Sequence, residues 1–276
     1  MLLVTGANGQ LGNELRLLLG EGAVYVGHGE LDITSEEAVK AFFADRNFDF
    51  VVNCAAYTAV DKAEDDAEAA EKVNTLGPLY LARYGRRIVQ ISTDYVFDGT
   101  SCRPYTEKDA PNPVSVYGRT KLAGENAVLA GAECAVVIRT SWLYSSFGAN
   151  FVKTMRRLGA ERESLGVVFD QAGTPTYAAD LAAAIVSMLP QIRPGMKEVY
   201  HFSNEGVTSW YDFAVAIMEE SHLACAVHPI ESSAYPTRAV RPAYSVLNKA
   251  KIRQDFGLTI PHWREGLKRC VRIIEN

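Results

Sequence analysis

The apolar positions of this chain fall into short blocks separated by stretches of helical spacing. Leu2-Leu3-Val4-Thr5, Ala23-Val24-Tyr25-Val26-Gly27, Phe48-Asp49-Phe50-Val51-Val52-Asn53-Cys54, Arg87-Ile88-Val89-Gln90-Ile91-Ser92 and Ala135-Val136-Val137-Ile138-Arg139-Thr140 are compact runs of strand length. Between them, residues 10–19, 35–44, 61–84 and a long stretch from Ser115 space their apolar residues as helices do. Near-continuous apolar strands are buried on both faces, and their alternation with helices predicts an α/β fold with a parallel, doubly wound, Rossmann-like sheet. Gly20 and Gly22 are stops for the first helix. Thr34 with Glu37 has capping-box spacing and opens the second.

After Ser141 the pattern changes. It predicts a helix at 151–158, a sixth strand at 167–169, a turn at 173–177 and a strongly apolar helix at 178–189 packed on the sheet. A short strand at 200–204, an amphipathic helix at 208–220 and two closing helices at 247–256 and 261–274 follow. The expected division is a dinucleotide-binding domain of residues 1–142 and about 165–195. A smaller, discontinuous C-terminal substrate-binding domain takes about 143–164 and 196–276.

Composition narrows the classes. The 276 residues are 48 % hydrophobic with net charge −5, enough for a full core and against disorder. Acidic and basic residues are interspersed, without a Lys/Arg block for nucleic acid. No apolar run reaches membrane-span length. Five cysteines, odd in number and without C-x-x-C spacing, read as free thiols of a reducing compartment. Met1 leads directly into the first strand, so a cytoplasmic location is expected.

Candidate chemistry begins in MLLVTGANGQLG, where Gly6, Gly9 and Gly12 stand between the first strand and a helix opening with Gln10 and Leu11. Helix N-termini carry unpaired N–H groups and partial positive charge, and glycines let backbone approach a pyrophosphate. In that context the triplet reads as a dinucleotide cradle. The second strand ends at Gly27-His28-Gly29, without a carboxylate for an adenine-ribose 2′-hydroxyl. This favours NADPH, with NADH as the alternative. His28 is either a phosphate contact or an exposed loop residue. Asp32 either accepts from the adenine amine, with Ile33 packed on the ring, or closes the turn before the helix. Ala55, Ala56 and Tyr57 follow the third strand, where small residues let a cofactor lie close. The acidic run from Asp61 to Glu71 reads as a solvated first turn favoured by the helix dipole. Ser92-Thr93 closes the fourth strand, and Tyr117 and Lys121 share one face of the next helix at i, i+4.

Gly6-x-x-Gly9-x-x-Gly12, Ser92-Thr93-Asp94 and Tyr117-x-x-x-Lys121 together resemble an extended short-chain dehydrogenase/reductase. The runs from Asn53 to Glu64, Ile91 to Gly99, Arg139 to Tyr144 and Tyr235 to Pro242 narrow the resemblance to the dTDP-4-dehydrorhamnose reductases. The resemblance spans nearly the whole chain, although residues 74–92 look about one helical turn short. It implies NAD(P)H-dependent reduction of the C4 ketone of dTDP-4-dehydro-6-deoxy-L-mannose to dTDP-L-rhamnose, for cell-surface polysaccharide. Tyr117 would be the general acid, and Lys121 would favour its phenolate and hold the nicotinamide ribose. Thr93 would polarise the carbonyl. Asp94, Tyr95 and Trp142 would shape the sugar pocket, bordered by Thr58 and Val60. Arg238 and Arg241 are candidates for the substrate diphosphate, or else surface salt-bridging residues. Of the family's magnesium ligands only Glu14 has a match, and it reads equally as a helix-surface carboxylate. A homodimer is a further expectation. The competing readings are a nucleotide-sugar epimerase or dehydratase, and a non-catalytic NADP-binding subunit like the methionine adenosyltransferase β subunit.

Overall fold

The structure is a computed structural model and describes residues 1–275; Asn276, which ends the expected substrate-binding segment, lies outside them. The first half alternates as β1 (Leu2–Thr5), α1 (Gln10–Leu19), β2 (Ala23–Val26), α2 (Glu36–Ala44) and β3 (Phe50–Asn53). It continues through α3 (Val60–Asp65), α4 (Ala67–Glu71), α5 (Gly77–Gly85), β4 (Arg87–Thr93), α6 (Val116–Gly131) and β5 (Cys134–Thr140). The second half holds β6 (Leu143–Tyr144), α7 (Phe151–Glu161), β7 (Ser164–Val168), β8 (Ala172–Gly173), β9 (Thr176–Tyr177) and α8 (Ala178–Met188). It closes with β10 (Lys197–His201), β11 (Thr208–Ser209), α9 (Trp210–Glu220), β12 (Ala226–Ile230), α10 (Ala250–Phe256) and α11 (Trp263–Glu275).

Six strands form one parallel sheet in the order β10-β5-β4-β3-β1-β2. The chain order reverses between β1 and β3, so the carboxyl ends of these two strands part and leave a crevice. Leu11, Leu15, Leu181, Ile185 and Ile252 fill one face of the sheet, and Val39, Leu81 and Val128 fill the other. A separate core joins α7, α9 and α11 around Phe213, with Tyr144, Val167 and Leu267.

Two sequence expectations are corrected. A strand does form near 167–169, but β7 pairs with β12 away from the main sheet, and β10 takes the sixth place. The burial of β7 alternates, as suits a strand covered on one face only. The cap of α2 is Ser35, whose side chain accepts from the Ala38 amide at 3.2 Å. Thr34 is instead drawn back to Asp32. The short stretch before β4 is a tight junction, because Arg86 alone, at φ +63°, connects α5 to the strand.

Between α4 and α5 the helix widens into a π-turn over Lys72–Leu76, with Asn74 buried on its inner side. Asn74 Oδ1 accepts the Tyr57 amide at 2.9 Å, and its Nδ2 donates to Tyr57 O and Thr120 Oγ1, both at 3.2 Å. Helix α6 lies so near that a Cβ on Gly124 would overlap the Asn74 carbonyl. Gly124→Ala is therefore expected to lose roughly 1–3 kcal/mol through overpacking against backbone, read as a lower midpoint in urea denaturation.

Candidate active site

The crevice at the switch point is built from backbone. Gly6 adopts φ +64°, and a Cβ there would lie 2.5 Å from the Ala55 amide nitrogen. A Cβ on Gly12 would lie equally close to the Gly6 carbonyl oxygen, at 2.5 Å. Gly9 precedes α1 without a side-chain cap, and no acidic residue occupies the first turn. The N-terminal amides of α1 are thus neither capped nor neutralised, which suits a pyrophosphate. The adjoining cleft, ≈ 460 Å³, is lined by Gly6, Gly9, His28, Ile33, Ala55 and Ala56 among others. These residues fit a dinucleotide.

The other predicted cofactor residues are held differently. The Leu11 side chain belongs to the core beneath the sheet. The Gln10 amide oxygen accepts from Asn150 at 3.0 Å. Tyr57 packs in the cluster around Tyr117. Asp32 closes a turn: its Oδ1 accepts the Thr34 hydroxyl at 2.7 Å and the Thr34 amide at 2.9 Å, which holds its pKa below the ordinary carboxylate value. The exposed His28 ring lies 3.8 Å from the same oxygen. The tip of β2 does carry a carboxylate, contrary to expectation. The chain turns back after Gly29, and Glu30 Oε2 accepts the Gly27 amide at 2.8 Å.

Thr93, Tyr117 and Lys121 come together, buried, where α6 crosses the end of β4. The Thr93 hydroxyl lies beside the Tyr117 phenol and favours its ionised form, and the Tyr117 ring meets Tyr95 edge-on at 5.4 Å. Thr93 Oγ1 accepts the Tyr95 amide at 3.2 Å and donates to Asp94 Oδ1 at 3.1 Å. Asp94 is buried with Ser245 and Thr93 beside its carboxylate, and burial pushes its pKa up to about 6. Burial also raises the Tyr117 pKa; the neighbouring Thr93 hydroxyl opposes this and the Asp94 charge adds to it.

Lys121 is anchored to the end of β4. Its ammonium donates to the Ile91 carbonyl at 2.7 Å, and the titratable groups nearest it in effect are Glu125 and Cys54. Burial brings the Lys121 pKa down to about 8. Cys54, which also lines the dinucleotide cleft, joins the two regions, and burial pushes its own pKa up to about 12.

Beneath this group lies a buried ion pair that sequence reasoning missed. Arg139 donates to Glu125 through Nη2 at 2.7 Å and Nε at 2.9 Å, and Glu125 also accepts from Ser92. His201 completes the group, with Nε2 3.4 Å from Arg139; burial and the Arg139 charge hold it neutral, with a pKa near 3. An arginine interrupting the apolar run of β5 was the available signal. Asn74 was missed too, since nothing in its local sequence distinguishes it.

The expected substrate residues divide. Val60, half-buried, and Tyr95 pack against Tyr117, whereas Thr58 is exposed. Trp142, at φ +49°, stacks on Trp210 at 3.6 Å beside the second core. A cavity of ≈ 610 Å³ is lined by Phe151, Leu165, Val167, Trp210, Tyr235 and Arg241 among others. Arg241 and Arg238 are paired with Asp61 and Asp65, so the acidic run is not simply solvated. Glu14 is buried rather than on the helix surface, and accepts from Ser145 Oγ at 2.6 Å. Among the described residues no group of three or more His, Cys, Asp or Glu is placed to hold a metal ion. No helix among them is long and apolar enough to cross a membrane.

A dinucleotide crevice at the switch point, with a tyrosine, a lysine and a threonine at the neighbouring strand end, defines an NAD(P)-dependent oxidoreductase of the extended short-chain dehydrogenase/reductase kind. The family model described as RmlD substrate binding domain matches residues 1–276. The chain belongs to the dTDP-4-dehydrorhamnose reductase family. It is 41 % identical to the dTDP-4-dehydrorhamnose reductase of Aggregatibacter actinomycetemcomitans, with 97 % of each chain covered. The structure superposes with a TM-score of 0.95 on the crystal structure of such a reductase from Clostridium acetobutylicum, at 41 % identity, covering 100 % of this chain and 99 % of that one. For the Bacillus anthracis enzyme in complex with NADP the TM-score is 0.94 and the identity 38 %, with the same coverage of 100 % and 99 %.

The depressed Lys121 pKa carries a stability signature. Between about 8 and the ordinary 10.5 the unfolded chain holds a proton that the folded chain has released, so stability rises with pH across that window. Lys121→Met is expected to remove this part of the rise. Parallel urea titrations of parent and variant at pH 7 and pH 10 measure it, and an unchanged pH dependence would assign the effect elsewhere.

Proposed function

We propose that the protein reduces the C4 ketone of dTDP-4-dehydro-6-deoxy-L-mannose to dTDP-L-rhamnose, for rhamnose-containing polysaccharide. The observation that carries this reading is the Tyr117–Thr93 hydroxyl pair and its two connections. Cys54 beside Lys121 links it to the dinucleotide crevice. Tyr95, bonded to Arg241, links it to the larger cavity. The cleft takes the dinucleotide, and the larger cavity takes the nucleotide part of the substrate. In this division β7 belongs with the sugar-nucleotide side, by its pairing with β12.

A bound reduced nicotinamide supplies the hydride. Tyr117 supplies the proton, and its raised pKa keeps the phenol neutral and loaded at physiological pH. Thr93 holds the carbonyl oxygen with Tyr117, exchanging its bond to Asp94 for one to substrate. Lys121, fixed by the Ile91 carbonyl, holds the ribose hydroxyls. A dehydratase needs an acidic pair after the active threonine; here Tyr95 stands in the second place and accepts from Arg241 at 3.0 Å.

Glu30 weakens the sequence argument that favoured NADPH over NADH. We assign NADPH as a reductant, as the NADP complex of the Bacillus anthracis relative supports, and NADH as a second one tolerated through Glu30. Glu30→Gln is expected to shift the NADPH/NADH affinity ratio toward NADPH, read by nicotinamide fluorescence.

The test of the reaction is to supply dTDP-4-keto-6-deoxyglucose with a 3,5-epimerase and follow nicotinamide absorbance. Consumption is expected only when the epimerase is present. Tyr117→Phe should lose roughly 10²–10⁴-fold in turnover while still binding cofactor; turnover near the parent's would remove Tyr117 from the mechanism.

A further inference from the structure

Two of the family-like runs, around Asp61 and around Arg241, are far apart in sequence and bonded in space. Asp61 Oδ1 accepts the Ala239 amide at 3.0 Å, and Oδ2 accepts the Arg241 guanidinium at 2.6 Å. One turn along α3, Asp65 accepts from Arg238 at 2.5 Å. Between them, Glu64 Oε1 accepts the Val116 amide at 2.8 Å, at the start of the helix that carries Tyr117. A helix of six residues therefore grips segment 235–241 on one side and α6 on the other.

Stability alone is a poor account of the Asp61 contact. Side-chain exposure is 43 % at Asp61 and 26 % at Arg241, and ion pairs this open to water contribute little to folding. What the pair does fix is direction. Arg241 donates through Nη1 to the Tyr95 hydroxyl at 3.0 Å and through Nη2 to Asp61. A guanidinium has five N–H groups in a rigid fork, so donors remain while the side chain lines the ≈ 610 Å³ cavity with Tyr235 and Thr237.

We propose that Asp61 is a positioning residue for substrate. It fastens segment 235–241 as a strap beside the cavity and holds Arg241 with its remaining donors available to a diphosphate. Glu64, on the same helix, separately holds the start of α6 and so the height of Tyr117. The inference rests on the cavity being the nucleotide-sugar site.

Because the two carboxylates face different clients, the kinetic constants separate them. Asp61→Ala is expected to raise KM for the keto sugar, and the Kd of dTDP measured by calorimetry, by about tenfold or more, with a smaller fall in kcat. Asp61→Asn keeps an acceptor for the Ala239 amide but carries no charge, so it should fall between parent and alanine variant. NADPH affinity should stay at the parent's value in both. Glu64→Ala should instead lower kcat and leave dTDP affinity unchanged. Unchanged dTDP affinity in Asp61→Ala overturns the proposal, as does a parallel loss of NADPH affinity. Tighter dTDP binding also overturns it, by showing that Asp61 competes with the diphosphate. A parent that binds dTDP yet consumes no NADPH with the keto sugar refutes the assigned reaction, while the dTDP measurements still decide the role of Asp61. A parent that binds no dTDP refutes the assignment of the cavity and the inference with it.

Discussion

The chemistry of this molecule depends on how closely one helix is drawn onto the ends of two strands. Gly118 and Gly124 of α6 leave no room for a Cβ against the carbonyls of Tyr95 and Asn74. At that separation the Tyr117 phenol lies beside Thr93, and Lys121 reaches the Ile91 carbonyl. The same closeness takes both groups out of water, so the phenol becomes a weaker acid and the ammonium a stronger one. A helix one side chain further out would give neither the reach nor the shifts. The Glu125–Arg139 pair ties α6 to β5 from below, and the bond from Ser92 ties it to β4. Burying such a pair is costly in desolvation, and removing one partner strands the other. Its evident service is registration of the helix on the sheet.

What was legible in the sequence is what short-range pattern determines. The apolar runs gave five of the six sheet strands, and the glycine turn gave the crevice, because strand length and turn chemistry are local properties. Tyr117 and Lys121 share a helix face by spacing alone, and their place after the Thr93 strand end located them. The misreadings concern which partner a residue finds, in some cases far along the chain and in others a turn away. Whether β7 or β10 becomes the sixth strand depends on what each meets, and runs of similar apolar content do not reveal it. Glu30 returns to the β2 tip only because the chain doubles back after Gly29. Asp61 looked like a solvated charge because its partner, Arg241, is separated from it by 180 positions. Ser35 and Thr34 are both good caps, and the competing bond to Asp32 decided between them.

Trp142 marks the point where the chain leaves the sheet for the second core. A tryptophan at φ +49° is uncommon and strained. Its ring is held by Trp210 on one face, and a Cβ on Gly173 would sit 2.6 Å from it. The strain persists because packing over-determines the position. The two cores therefore meet at a closely packed corner.

The parallel pairing of β10 with β5 bears on how the chain can be made and divided. All seven residues of β5 are buried, and it lies inside the sheet only because a strand encoded much later covers its outer edge. During synthesis the nucleotide-gripping turn and the reactive tyrosine both emerge while that edge is still open, and a bare apolar edge invites pairing with other chains. A fragment ending near Thr140 would hold the glycine turn, Thr93, Tyr117 and Lys121 and still be a poor unit for expression. Split or fused versions should keep the chain intact at least through His201.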